Sequence, residues 1–72
     1  MNIENLSKRD LLVWKYVVEG LTIREIADKL GIRFDAANMR IGLLYLRLGL
    51  PHEDGVSRRT QLVRAAQQFT GA

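Results

Sequence analysis

The stretch IRFDAANMRIGLLYLRLGL, residues 32–50, decides the fold. Apolar residues recur in it at intervals of three and four, which is the spacing that lets one side of an α-helix pack against a core. Gly49 and Pro51 stand at its end and are typical of a helix terminus. The pattern predicts a helix over about residues 34–48. Its core-facing side comprises Phe34, Ala37, Ile41, Leu44 and Leu48.

Two further sides of this helix bear on function. Arginines recur every seventh residue, at Arg33, Arg40 and Arg47, and so form one stripe along the flank of the core-facing side. Cations at this spacing could follow a phosphate backbone. The side opposite the core is unusually apolar for a surface that faces solvent. Its members are Asp35, Met39, Gly42, Leu43 and Leu46.

Capping patterns predict the other helices. Ser7 and Asp10 have the spacing of a capping box, in which a hydroxyl and a carboxylate satisfy free N–H groups at a helix start. Thr22 and Glu25 repeat that spacing, and Ser57 precedes the last apolar segment. The predicted helices cover about residues 8–19, 23–30 and 58–69.

Each of these three helices has an apolar side that is expected to face the core. The expected core-facing residues are Leu11, Trp14, Val17 and Val18 in the first, Ile26, Ala27 and Leu30 in the second, and Leu62, Ala65, Ala66 and Phe69 in the last. The short link through Gly31 predicts a helix-turn-helix. The chain is therefore predicted to be all-α, a four-helix bundle-like domain that comprises residues 1–72.

Composition favours a small binding domain. A chain of 72 residues has little room for an enzyme cleft, and no plausible catalytic set occurs in it. No cysteine accompanies the single histidine, His52, so neither a metal site nor another cofactor is predicted. No membrane segment or leader is recognisable, and we expect a cytoplasmic protein encoded by a bacterium or a phage. Residues 29–72 carry seven basic and three acidic side chains, which weakly favours an anionic partner.

Motif spacing over nearly the whole chain resembles that of the LuxR-type, or GerE-like, DNA-binding domain. Leu6-Ser7-Lys8-Arg9-Asp10 matches the family's leucine, hydroxyl residue, any residue, arginine and acid. Such combined spacing is a stronger indication of a fold than one short motif. The register is also kept at Thr22-Ile23-Arg24-Glu25-Ile26-Ala27, Arg47-Leu48-Gly49-Leu50 and Arg59-Thr60-Gln61-Leu62-Val63. The link between Leu50 and Arg59 is several residues longer than in the family.

The resemblance implies a transcription regulator whose third helix enters the major groove of double-stranded DNA. Its fourth helix would pair two copies into a homodimer that binds half-sites roughly 10 bp apart. Asn38 is implied to pair with adenine and Met39 to touch a thymine methyl group, with Gly42 the third residue that faces the bases. Contacts to the DNA backbone are implied at Arg24, Arg40 and Arg47, and Arg33 lies in the same stripe.

Leu12, Leu43 and Leu46 stand at positions where the LuxR-type family usually has polar residues, and this difference supports a second hypothesis. Met39, Leu43 and Leu46 form a continuous apolar ridge at helical spacing, and exposed ridges often mark protein interfaces. The chain could instead be a helix-turn-helix protein-binding module that engages another transcription regulator or RNA polymerase. The candidate protein interface comprises Leu12, Leu43, Leu46, Leu62, Ala66 and Phe69. Two alternatives remain. In one, the last helix or a second subunit covers the ridge; in the other, the chain resembles region 4 of an RNA polymerase sigma factor.

Overall fold

Four α-helices make up most of the chain in the computed structural model, which describes residues 3–69 without the side chains of Asn5 and Phe69. The all-α prediction is confirmed, and every predicted helix end lies within one residue of the observed end. The elements are a short 3-10 helix (Ile3–Asn5), α1 (Lys8–Val18), α2 (Ile23–Leu30), α3 (Phe34–Leu48) and α4 (Arg58–Phe69).

Reciprocal hydrogen bonds start the first two helices, as the spacing predicts. The Asp10 backbone N–H donates to Ser7 Oγ at 3.1 Å, and the Ser7 N–H donates to the Asp10 carboxylate at 3.0 Å. Thr22 and Glu25 make the same pair of bonds at 3.1 and 2.8 Å. Each box satisfies helix N–H groups that would otherwise have no partner.

The turn between α2 and α3 depends on one glycine. Gly31 has φ 67°, a left-handed conformation that costs glycine little. It lets the Ile32 N–H donate to the Ala27 carbonyl at 3.0 Å, so the chain reverses within residues 31–33. Ala27 is buried where α2 packs on α3, and its small side chain permits the close approach. The two helices therefore form the expected helix-turn-helix.

Trp14 joins α1 to α4 at the centre of the core. Its side chain is 4% exposed, and its indole N–H donates to the Leu62 carbonyl at 2.8 Å. The bond satisfies the only polar atom of a large buried side chain. The buried apolar residues around it come from all four helices: Val13, Val17, Ile26, Ala27, Ala37, Ile41, Leu44, Tyr45, Leu48, Leu62 and Ala65.

Three residues predicted to face the core are exposed instead. Leu11 and Val18 are 44% and 43% exposed, because the buried line of α1 runs through Val13 and Val17 and is rotated by about one position from the predicted one. Phe34 is 52% exposed. It is the first residue of α3, where side chains tilt toward the N-terminus and away from the rest of the helix, which accounts for its exposure.

Candidate nucleic-acid interface

The side of α3 turned away from the core is open to solvent over much of its length. Met39 and Leu46 are 66% and 70% exposed, Leu43 is 37% exposed, and Asn38 beside them is also exposed. These residues line a shallow depression of about 520 Å³. We call this surface the outward face of α3; it comprises Asp35, Asn38, Met39, Gly42, Leu43 and Leu46.

In the described part of the chain, the three arginines on the flank of α3 differ in their contacts: Arg47 pairs with an acid on another helix, whereas Arg33 and Arg40 do not. Arg33 occupies the N-cap position without a capping bond, and its highly exposed side chain lies 3.6 Å from Asp35. Asp35 in turn accepts from the Ala36 N–H, and its negative charge in the first turn of α3 is favourable to the helix dipole. Arg40 is half-buried, and Arg24 on α2 is exposed. Arg24, Arg33 and Arg40 form no ion pair across helices among residues 3–69.

Arg47, the third member of the stripe, is engaged by another helix. Its Nη1 donates to both carboxylate oxygens of Asp10 on α1, at 2.9 and 2.7 Å. The Asp10 side chain is 4% exposed, whereas that of Arg47 is 44% exposed. Arg47 therefore holds α3 against α1 while part of its side chain remains accessible. The sequence indicates the capping role of Asp10 but not this long-range contact.

Competing effects act on the pKa of the buried carboxyl. Burial of Asp10 by itself raises the pKa, since it disfavours the charged form. The hydrogen bonds from the Ser7 backbone and hydroxyl, the bond from Arg47 and the positive charge of Arg47 together outweigh burial. The resulting pKa of Asp10 lies below its ordinary value, so the carboxylate remains charged and the ion pair persists at neutral pH.

The position of Gly42 differs from the expectation that it faces DNA bases. Gly42 is buried because the guanidinium of Arg58, the first residue of α4, lies on it. A Cβ built at Gly42 would stand 2.7 Å from Arg58 Nη1. The outward face thus carries, on Gly42, a cation supplied by α4. An isolated glycine in the middle of a helix is the feature of the sequence that hints at such a close approach.

The loop between α3 and α4 fixes that arrangement. The Pro51 carbonyl accepts from Tyr45 Oη on α3 at 2.9 Å and from Gln61 Nε2 on α4 at 2.6 Å. Gln61, which is 5% exposed, also donates to the Glu53 carboxylate at 3.0 Å. At the start of α4, Ser57 Oγ accepts from the Thr60 N–H. One loop carbonyl therefore links α4 to α3.

The candidate protein interface on α4 is smaller than predicted. Leu62 has no exposed surface, because its side chain belongs to the buried core, so it is not accessible to a partner. Ala66 is half-buried, and the Phe69 side chain lies outside the described part of the chain. Leu12 on α1 is 37% exposed. The accessible apolar candidates are therefore Leu12 and the ridge of Met39, Leu43 and Leu46.

Other functional sites receive little support from the described residues. His52 is exposed and lies 3.1 Å from Asp54. Within residues 3–69, no group of three histidine, cysteine, aspartate or glutamate residues is arranged to hold a metal ion. Over the same residues, no helix has the length and apolar character needed to cross a membrane.

Alanine in place of Gly42 is expected to raise the free energy of unfolding by about 0.5–1 kcal/mol, because glycine is a poor residue for a helix interior. The added Cβ meets the end of the flexible Arg58 side chain, which can move aside at small cost. Urea unfolding followed by circular dichroism measures the change. A loss of stability would show that the guanidinium cannot leave its position on Gly42.

Comparison with known proteins supplies no relative. No model of a known protein family matches the chain, and neither a curated protein nor a solved structure is significantly similar to it. The functional assignment therefore depends on the residues of the outward face and the cations around it.

Proposed function

We propose that the chain is a small, non-enzymatic transcription regulator that binds double-stranded DNA as a homodimer, with α3 in the major groove. The observation that carries the proposal is the outward face of α3, most of which is exposed to solvent; it belongs to a helix-turn-helix and has arginines along its flank. A major groove about 12 Å wide admits one α-helix. The spacing that resembles the LuxR-type domain supports the same orientation.

Different residues would supply affinity and specificity. Arg33 and Arg40 on α3 and Arg24 on α2 would contact phosphates, which gives an affinity that falls with salt. The exposed amide of Asn38 can pair with the N6 and N7 atoms of adenine, and the exposed Met39 can touch a thymine methyl group. Arg47 remains a candidate phosphate contact through its exposed part, although its first role is to hold Asp10.

Two alanine variants test this division of roles. Arg40→Ala is expected to weaken binding to all duplexes alike and to reduce the slope of log affinity against log salt by about one unit. Asn38→Ala is expected to relax the preference at one base pair, where discrimination is worth about 1–3 kcal/mol. Selection from a random duplex pool at several salt concentrations, followed by anisotropy titrations, measures both effects.

The matched control for Arg40→Ala removes an arginine charge from a different helix, α1. Arg9→Ala deletes an exposed arginine of α1 and should leave both the salt slope and the selected sequence unchanged. Sedimentation of the protein with and without the selected duplex measures whether two copies bind. Unchanged binding of Arg40→Ala to matched and random duplexes would rule out this docking of α3.

The exposure of the ridge favours one second candidate, a protein-binding module. Met39 and Leu46 present most of their side chains to solvent, and a row of such residues is more typical of a protein interface than of a DNA-binding surface. In this hypothesis an amphipathic helix of another regulator or of RNA polymerase would cover the outward face. The double variant Leu43→Glu/Leu46→Glu, which places two carboxylates on the ridge, separates the two functions.

A further inference from the structure

We infer that Arg58 determines specificity by hydrogen bonding to a guanine in the major groove, an inference that rests on the proposed binding of DNA by α3. Arg58 belongs to α4, outside the helix expected to contact bases. Its guanidinium nevertheless lies over Gly42, at the place where a side chain of α3 would otherwise project. α4 would thus supply a base-contacting group that α3 itself lacks at this position.

The position of the guanidinium favours a base over a phosphate. Arg33 and Arg40 lie on the flank of α3, the side that would follow the DNA backbone. Arg58 instead lines the depression on the outward face together with Asn38 and Met39, the residues proposed to contact bases. A group beside the side chains that reach into the major groove meets base edges, whereas groups on the flank of the helix meet phosphates.

The chemistry of the side chain fits guanine. A guanidinium presents N–H donors in a planar fork that matches the O6 and N7 acceptors of guanine. Arg58 is exposed, and no carboxylate among residues 3–69 pairs with it, so its donors are not committed within the described chain. The apolar neighbours Leu43 and Leu46 would exclude water from the contact.

The fold holds the start of α4 in place for this role. The Pro51 carbonyl bonds to both Tyr45 and Gln61, and so it couples α3 to the first turns of α4. The Trp14 indole bonds to the carbonyl of the next residue, Leu62. Because the backbone of α4 is fixed at these points, placing the guanidinium on DNA requires ordering of the Arg58 side chain alone.

Selection from a random duplex pool, performed with the wild type and with Arg58→Gln, tests the inference. The wild type should select a site with a required G·C pair, and Arg58→Gln should lose about tenfold or more of the discrimination at that pair alone. Arg58→Lys keeps the charge and can still donate to guanine but lacks the planar fork, so it should weaken the guanine preference less than Arg58→Gln does. Arg64→Gln, the same change at an exposed arginine of α4, should behave as the wild type.

Gly42→Ala provides a second variant that leaves Arg58 in the sequence. Its Cβ would stand 2.7 Å from Arg58 Nη1, too close for both to stay in place, so it should displace the guanidinium and lower discrimination at the same base pair. An Arg58→Gln profile identical to that of the wild type would overturn the inference. So would an equal loss on all duplexes, which indicates a phosphate contact. Failure of the wild type to select any duplex would instead overturn the proposed function, and the inference with it.

Discussion

Arg47→Met is expected to lower the free energy of unfolding by about 2 kcal/mol, because it leaves the buried Asp10 carboxylate without its ion-pair partner. Removing one partner of a fully buried pair costs about 3–5 kcal/mol. The smaller value applies here because water can reach the site through the exposed part of Arg47. Methionine retains the length and apolar stem of the side chain, so the loss reports the missing charge and hydrogen bonds. Urea unfolding at neutral pH measures it.

The free energy of unfolding measured at acid pH provides a second test of the contact between Asp10 and Arg47. The pKa of Asp10 is lowered in the folded protein, so its stabilising contribution is complete above the ordinary carboxyl pKa of about 3.9 and is lost as pH falls through the lowered value. In Arg47→Met this part of the acid destabilisation should be smaller than in the wild type. Glu25, whose pKa is lowered chiefly by the Thr22 backbone N–H, adds an acid dependence that both proteins share.

Arg40→Met is the matched control, since it removes another arginine of the stripe with no carboxylate bonded to it among residues 3–69. Its stability should remain within about 0.5 kcal/mol of the wild type. The comparison matters for function. A loss of DNA binding in Arg47→Met could arise from a shift of α3 against α1, whereas a loss in Arg40→Met would arise at the DNA contact. Equal stability of Arg47→Met and the wild type would show that the Asp10 contact contributes nothing to folding.

Local patterns were sufficient to predict the helices of this chain. The capping pairs of Ser7 with Asp10 and Thr22 with Glu25 act within one turn, and the glycine at 31 acts on its own backbone. Such features need no knowledge of distant residues, so the sequence determines them directly. The centre of the core was also predictable, because Trp14 lies in the middle of an apolar stripe.

Contacts between distant residues were not predictable in the same way. Asp10 and Arg47 lie 37 positions apart in the sequence, and the capping box already explains the carboxylate. Arg58 meets Gly42 because contacts from distant parts of the chain, the Pro51 carbonyl and the Trp14 indole, hold α4 beside α3. Periodicity gives the side of a helix to within about one residue, and that error placed Leu11 and Val18 in the core. The outward face of α3 could therefore be predicted from the sequence, whereas the position of the Arg58 guanidinium on that face is a finding of the structure.

The double variant Leu43→Glu/Leu46→Glu is expected to abolish DNA binding, with a loss of at least about 100-fold in affinity. It places two carboxylates on the outward face, where they would meet the negative potential of the groove and stand beside Arg58. Leu46 is 70% exposed and Leu43 37% exposed, so the fold should tolerate both changes. Anisotropy titration with the selected duplex measures the affinity, and circular dichroism confirms the helical content.

Leu11→Glu/Val18→Glu is the matched control, since it adds the same two charges at exposed apolar positions of α1. A similar loss in the control would attribute the effect to net charge and remove the evidence for α3. Retained DNA binding in the ridge variant would contradict docking by the outward face. If that variant then failed to capture a regulator or RNA polymerase that the wild type binds, the protein-binding module would be the better assignment. Loss of dimerisation in sedimentation, with the monomer still folded, would show instead that a second subunit covers the ridge.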